Sequence, residues 1–173
     1  GAQVITVPMH DPASSDVAPG DAFFEGLVAA WNSATVKPRV IICSFPHNPT
    51  SACVDLAFME RLVNFALEHE VLICHDFAYA DLGFDGYQPP SILQVPRAKE
   101  CCVGFMVGNK EVVAALTKLK SYLDYGTFQP VQIASIVAMN EASDYPDQLR
   151  EIYTSRRDTL IEGLQRIGWN VAA

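Results

Sequence analysis

The sequence predicts an α/β protein with three layers, a mainly parallel sheet between helices on either side. Three observations lead there. Short apolar runs alternate with longer stretches of helical period, the pattern of successive β-α-β units. Two of the runs, RVIICSF at 39–45 and VLIC at 71–74, are apolar throughout, as strands covered on both faces must be. The helical stretches between them open on residues that can cap a helix.

The elements follow in order. QVITVP (3–8) reads as a first strand, and PMHDPASSDVAPG (8–20), rich in Pro, Ser and Asp, as a loop. Asp21 is placed to cap a helix over 21–34 that sets Phe24, Leu27, Val28 and Trp31 on one face. RVIICSF (39–45) is the second strand. Asp55 is placed to cap a helix over 55–70, with Phe58, Leu62, Phe65 and Ala66 at i, i+4, i+7 and i+8. VLICHD (71–76) is the third strand, and FAYADLGFDGYQPPS (77–91), with Gly83, Gly86 and a proline pair, is a loop. CCVGFMVGN (101–109) is the last clear strand, followed by helical stretches over 110–123, 131–142 and 147–168. The closing WNVAA (169–173) reads as a strand cut short.

Composition narrows the function. With 173 residues, half of them apolar, the chain is one domain or one piece of a larger one. A domain of that size buries about 70 % of the surface its unfolded form exposes. Asp and Glu number 20 against 12 Lys and Arg, and the basic residues are scattered, so the footprint of nucleic-acid binding is missing. No apolar run approaches the roughly 18 residues of a membrane span, and GAQVITVPM has no secretion-signal character, so the expectation is a cytoplasmic protein without membrane contact. Of five cysteines, Cys43, Cys74, Cys101 and Cys102 fall in apolar β-like runs without C-x-x-C spacing, which reads as buried thiols and no metal site. Cys53 falls in a turn. His47 and His75 read as structural or supporting residues.

Ligands of open parallel α/β sheets bind beyond the carboxyl ends of the strands. Asn48 lies four residues past Ser44, Asp76 ends the run VLICHD, and Tyr79 follows it at i+3. A carboxylate at the end of an apolar strand is poorly solvated and calls for a cationic partner, for which a protonated ring nitrogen would serve. An amide and a phenol nearby can both donate to an oxyanion on the far side of such a ring. The three residues describe a pocket for a pyridinium with a neighbouring phenolate oxygen, and Pro46 and Pro49 would fix Asn48 toward it. Each residue also has a plain reading: Asn before Pro is a common turn residue, Asp caps helices and loops, and Tyr serves amphipathic cores.

The stretch SFPHNPTSACVDLAFMERLVNFALEHEVLICHDFAYADLGFDG (44–86) resembles the large domain of the fold-type I pyridoxal-phosphate enzymes, the aspartate-aminotransferase-like class I/II family. The likeness rests on an Asn-Pro-x-Gly-type turn after a strand, here Asn48-Pro49-Thr50 with Ser51 in place of the commoner glycine. A helix and a strand ending in Asp-x-x-Tyr, here Asp76 and Tyr79, complete it. GFMVGNKEVVAALTKLKSYLDYGTFQPVQIASI (104–136) resembles the same domain beyond its lysine loop. The resemblance implies an aminotransferase that moves an amino group between an amino acid and a 2-oxo acid with pyridoxal 5'-phosphate. It implies that Asp76 keeps the pyridine nitrogen protonated and that Asn48 and Tyr79 hydrogen-bond the 3′-oxygen. It also implies a homodimer, and YGTFQPVQIAS leans toward the branch with diaminopimelate, alanine and aspartate enzymes.

Beyond Ser51, the chain departs from that pattern at the catalytic lysine. The family's Schiff-base lysine sits on a Ser-x-Ser-Lys-type loop followed by an arginine, yet PSILQVPRAKE runs directly into CCVGFMVGN. Lys99 has no serine pair beside it and is not assigned the role, so the catalytic residue is unassigned. The expectation is that residues 1–173 are one partial cofactor-binding large domain. A segment is missing between Lys99 and Gly104, the N-terminal part and the C-terminal small domain are absent, and the fragment alone would be inactive. The alternative is a catalytically degenerate binding or regulatory module on the same fold, without the lysine. A nucleotide-binding domain is disfavoured, since neither G-x-G-x-x-G nor G-x-x-x-x-G-K-[ST] occurs.

Overall fold

A computed structural model describes residues 3–9, 17–104, 107–123 and 126–171. In chain order the elements are α1 (Pro19–Ser33), β1 (Val40–Ser44), α2 (Leu56–Glu68), β2 (Leu72–Asp76), a 3₁₀ turn (Ile92–Gln94), α3 (Ala98–Cys101), β3 (Cys102–Gly104), β4 (Val107–Gly108), α4 (Lys110–Leu123), α5 (Gln129–Glu141) and α6 (Tyr145–Arg166). The architecture is the predicted α/β class, a mainly parallel sheet with flanking helices. They divide between two compact units, Gly1–Ala80 with Pro89–Leu123 and Asp81–Gln88 with Asp124–Ala173.

In the first unit the strands lie in the order β1-β2-β3-β4. β1 and β2 are parallel, with Val40 opposite Leu72 and Ser44 opposite Asp76, so both strands end level. β3 continues parallel to β2, and β4 returns antiparallel, with Val103 opposite Gly108. α2 supplies the crossover. Asp55 caps it as predicted, its Oδ1 accepting from the Phe58 N–H at 2.8 Å, and the apolar face buries Phe58, Met59, Leu62, Val63, Phe65 and Ala66. A fully buried Phe, Met, Leu or Val side chain is worth about 1.5–3 kcal/mol over its exposed state, so this face is a large contributor to the stability of the unit. Phe23 meets both Phe45 and Phe58 edge-on, tying α1 to the end of β1 and to α2. Gly20 permits that approach, because a Cβ there would lie 2.9 Å from the Phe58 ring.

Several expectations are corrected. Residues 3–8 form no strand; Val4 is exposed, whereas Val7 and Met9 pack on the core as side chains without joining the sheet. α1 starts at Pro19, so Asp21 lies inside its first turn, where it pairs with Arg61 instead of capping. CCVGFMVGN is not one strand but the end of α3, then β3 and β4 as a reversal, with Phe105 and Met106 outside the described residues. Gly108 makes that reversal possible: its φ is +139°, and a Cβ would sit 2.3 Å from the Cys102 carbonyl oxygen. Residues 169–171 form no strand, and the last two residues of WNVAA lie outside the described residues. Among the described residues only one face of β1 is covered: Ile41 and Cys43 are buried, while Val40 is 49 % and Ile42 75 % exposed.

The second unit holds α5, α6 and the loop 81–88. Arg157 grips that loop through Asp85, at 2.7 and 3.3 Å, with its guanidinium over the Phe84 ring, and Arg150 donates to the Asp81 carbonyl. Among the described residues no helix is long and apolar enough to cross a membrane.

Candidate functional site

The residues singled out from the sequence lie at the carboxyl ends of β1 and β2, which the register brings level. β1 runs out through Phe45 into a tight turn closed by two backbone bonds, Ser51 N–H to the His47 carbonyl at 2.8 Å and His47 N–H to the Ala52 carbonyl at 3.0 Å. His47 Nδ1 and the Thr50 hydroxyl lie 2.8 Å apart, and the peptide bonds before Pro46 and Pro49 are cis. Ser51 has φ +56°, the left-handed conformation that glycine adopts without cost. That is the position where the resembled family commonly has glycine.

β2 ends at Asp76, whose Oδ1 accepts from the Ala78 N–H at 3.3 Å. This short side-chain turn, continued by Ala80 N–H to the Phe77 carbonyl, carries the chain round to Tyr79. There the two turns meet: Asn48 Nδ2 donates to the Tyr79 hydroxyl oxygen at 2.8 Å. Asn48 keeps its second N–H and Tyr79 keeps its O–H, so two donors stand side by side for an oxyanion.

Asp76 departs from expectation. The sequence reading has it poorly solvated; in the structure it is exposed. Side chains alternate along a strand, and Asp76 shares its face with Val40, Ile42 and Ser44, the face that the buried core leaves open. No ion pair among those of the described residues involves Asp76, so the carboxylate is available to a cation.

The same alternation sends His75 inward. It is 1 % exposed, its Nε2 lies 3.2 Å from the Phe45 carbonyl oxygen, and Nδ1 receives the Ile92 N–H at 3.5 Å. Burial lowers its pKa, outweighing the Phe45 carbonyl and the Asp76 charge, which pull the other way. Cys43, opposite His75 in the register, has its thiol pushed up to about 12, first by burial and then by Cys74 and Asp76, and is a neutral thiol at ordinary pH. The sequence marks His75 as a structural or supporting residue, and alternation from Asp76 is the signal that it faces the core. Lys99 lies exposed on α3.

These side chains suit an aromatic cofactor that carries an oxyanion and a protonated ring nitrogen, with the amide and phenol for the former and the carboxylate for the latter.

Comparison with known proteins bears on that set. The family model for aminotransferase class I and II matches the chain in two stretches, residues 1–103 and 101–173. A glutamate-pyruvate aminotransferase (AlaC) of Escherichia coli K12 is 42 % identical over 187 aligned positions, covering 99 % of this chain and 43 % of the relative. An LL-diaminopimelate aminotransferase of Dehalococcoides mccartyi is 33 % identical over 189 positions, covering all of this chain and 47 % of that protein. Among solved structures, substrate-bound BacF of Bacillus subtilis superposes with a TM-score of 0.74 at 26 % identity, covering 84 % of this chain and 40 % of that one. The chain spans less than half the length of the curated relatives it matches. It belongs to the class I and II aminotransferases, a family of pyridoxal-phosphate enzymes with the fold-type I architecture.

Proposed function

We propose that this chain is part of an aminotransferase that exchanges an amino group between an amino acid and a 2-oxo acid, with pyridoxal 5'-phosphate held by Asn48, Asp76 and Tyr79. The observation that carries the reading is the 2.8 Å bond between Asn48 and Tyr79, which joins two strand-end turns into one pair of donors. When bound, the cofactor supplies an electron sink for the charge left as the substrate's α-proton departs. Asp76 would hold the proton on the ring nitrogen, and the amide and phenol would donate to the ring oxygen. The degree of identity to a glutamate-pyruvate enzyme supports alanine and 2-oxoglutarate as the pair to try first. A homodimer is part of the proposal.

The proposal includes a segment carrying the catalytic lysine between Lys99 and Gly104 in the complete protein. It is supported by the division of the family match at 101–103 and by alignments that run over more positions than the 173 residues of this chain. As it stands, the chain joins β3 to β4 through residues 105–106 and places no lysine there.

The test is a titration of the full-length protein with pyridoxal phosphate, followed by absorbance, for the parent and Asp76→Ala. The expected result is a bound-cofactor band in the parent that shifts and weakens in the variant. A parent that binds nothing, or a variant with an unaltered spectrum, rejects the assignment.

A further inference from the structure

We infer that His75 is a positioning residue, a tautomer-locked imidazole that pins the turn carrying Asn48 and the 3₁₀ turn at Ile92 to the strand that ends in Asp76. The inference rests on the cofactor reading above and goes beyond it, since His75 touches neither the cofactor's donors nor its carboxylate partner.

The chemistry of the two contacts fixes the state of the ring. The Phe45 carbonyl can only accept, so Nε2 must carry the proton; the Ile92 N–H can only donate, so Nδ1 must present its lone pair. One neutral tautomer satisfies both, and a second proton on Nδ1 would face the Ile92 N–H. The ring is buried, and the Phe77 ring lies 4.8 Å away at an interplanar angle of 31°. Phe77 opens the turn to Tyr79.

The position of the contacts gives the clamp its purpose. Phe45 is the first residue after β1, three before Asn48, and His75 is the last residue before Asp76. Ser44 and Asp76 are opposite in the register, but beyond them no ladder holds the two exits together. Across that gap the Phe45–His75 bond on the buried side and the Asn48–Tyr79 bond on the other form two ties. Without the inner tie, the Asn48 turn is free to drift relative to Asp76, and donors and carboxylate no longer address one ring together.

The experiment compares the full-length parent, His75→Phe and His75→Gln. Phe keeps a flat ring and removes both polar contacts; Gln keeps an N–H donor for the Phe45 carbonyl. Pyridoxal-phosphate affinity should fall on the order of tenfold in His75→Phe, the scale of a lost hydrogen bond to a positioned group, and recover most of the way in His75→Gln. In the cofactor-free parent, ¹⁵N spectra of the imidazole should give the Nε2–H tautomer, and the Ile92 amide should lose exchange protection in His75→Phe.

A folded His75→Phe protein with parental affinity, or an Nδ1–H imidazole in the parent, overturns the inference. If His75→Phe does not fold, the parent's tautomer and the affinity of His75→Gln decide it, and a folded His75→Gln protein that binds about tenfold or more weaker than the parent counts against the clamp. Failure of the parent to bind cofactor instead rejects the cofactor reading, an outcome separate from the tautomer measurement.

Discussion

Asn48 and Tyr79, thirty-one residues apart in sequence, share a hydrogen bond of 2.8 Å in which the amide donates and the phenol accepts. Because each is the other's partner, their substitutions should not act independently. Asn48→Ala and Tyr79→Phe should each weaken pyridoxal-phosphate binding about three- to tenfold, and the double variant should lose less than the product of the two. A double-mutant cycle of dissociation constants checks this; strict multiplicativity would mean that the bond does not couple them.

Ser51 sits at φ +56°, where a side chain costs about 1–2 kcal/mol relative to the right-handed conformation and glycine costs little. Part of the gain from glycine is offset by its freer unfolded chain. Ser51→Gly should therefore stabilise the protein by about 0.5–1 kcal/mol, read as a higher urea midpoint at an unaltered slope.

Asp55 accepts the Phe58 N–H at the start of the helix that carries most of the core. Asp55→Ala should cost about 1 kcal/mol, and Asp55→Ser, which keeps an acceptor, should recover most of it. Urea unfolding of the three proteins measures the difference.

His75 titrates with a pKa lowered from 6.5 in the folded protein, chiefly by burial. The unfolded chain takes up a proton near pH 6.5 that the folded ring refuses, so stability is full above that value. It falls as the pH drops below it, by up to about 1.4 kcal/mol per pH unit until the folded ring itself titrates. The Asp76 charge and the Phe45 carbonyl pull the His75 pKa up without outweighing burial, and the Cys43 thiol stays neutral across the range. Urea midpoints at pH 5.5 and 7.5 should differ in the parent and converge in His75→Phe.

The sequence made legible what depends on local chemistry and period. Asp55 as a cap and Phe58, Leu62, Phe65 and Ala66 as a buried face both follow from spacing along one element. The failures lie where the answer depends on a partner elsewhere in the chain. QVITVP has strand composition, but pairing needs a neighbouring backbone, and here its side chains pack without it. The reversal inside CCVGFMVGN turns on the left-handed freedom of one glycine against one carbonyl oxygen, which apolarity does not encode. At the candidate site, Asn48, Asp76 and Tyr79 stand out in the sequence because polar residues at the ends of apolar strands are conspicuous, and the structure joins Asn48 to Tyr79. The solvation of Asp76 was not, since it depends on which sheet face is covered.

That uncovered face has a practical consequence. Among the described residues β1 lies at the margin of the sheet and reads VIICS, without a lysine, a proline or any charge, and its Ile42 is three-quarters open. Natural sheets guard such margins against adding strands from neighbouring molecules. Purified by itself, this polypeptide should therefore self-associate through β1 and precipitate as its concentration rises, whereas a lysine in place of Ile42 should keep it dispersed.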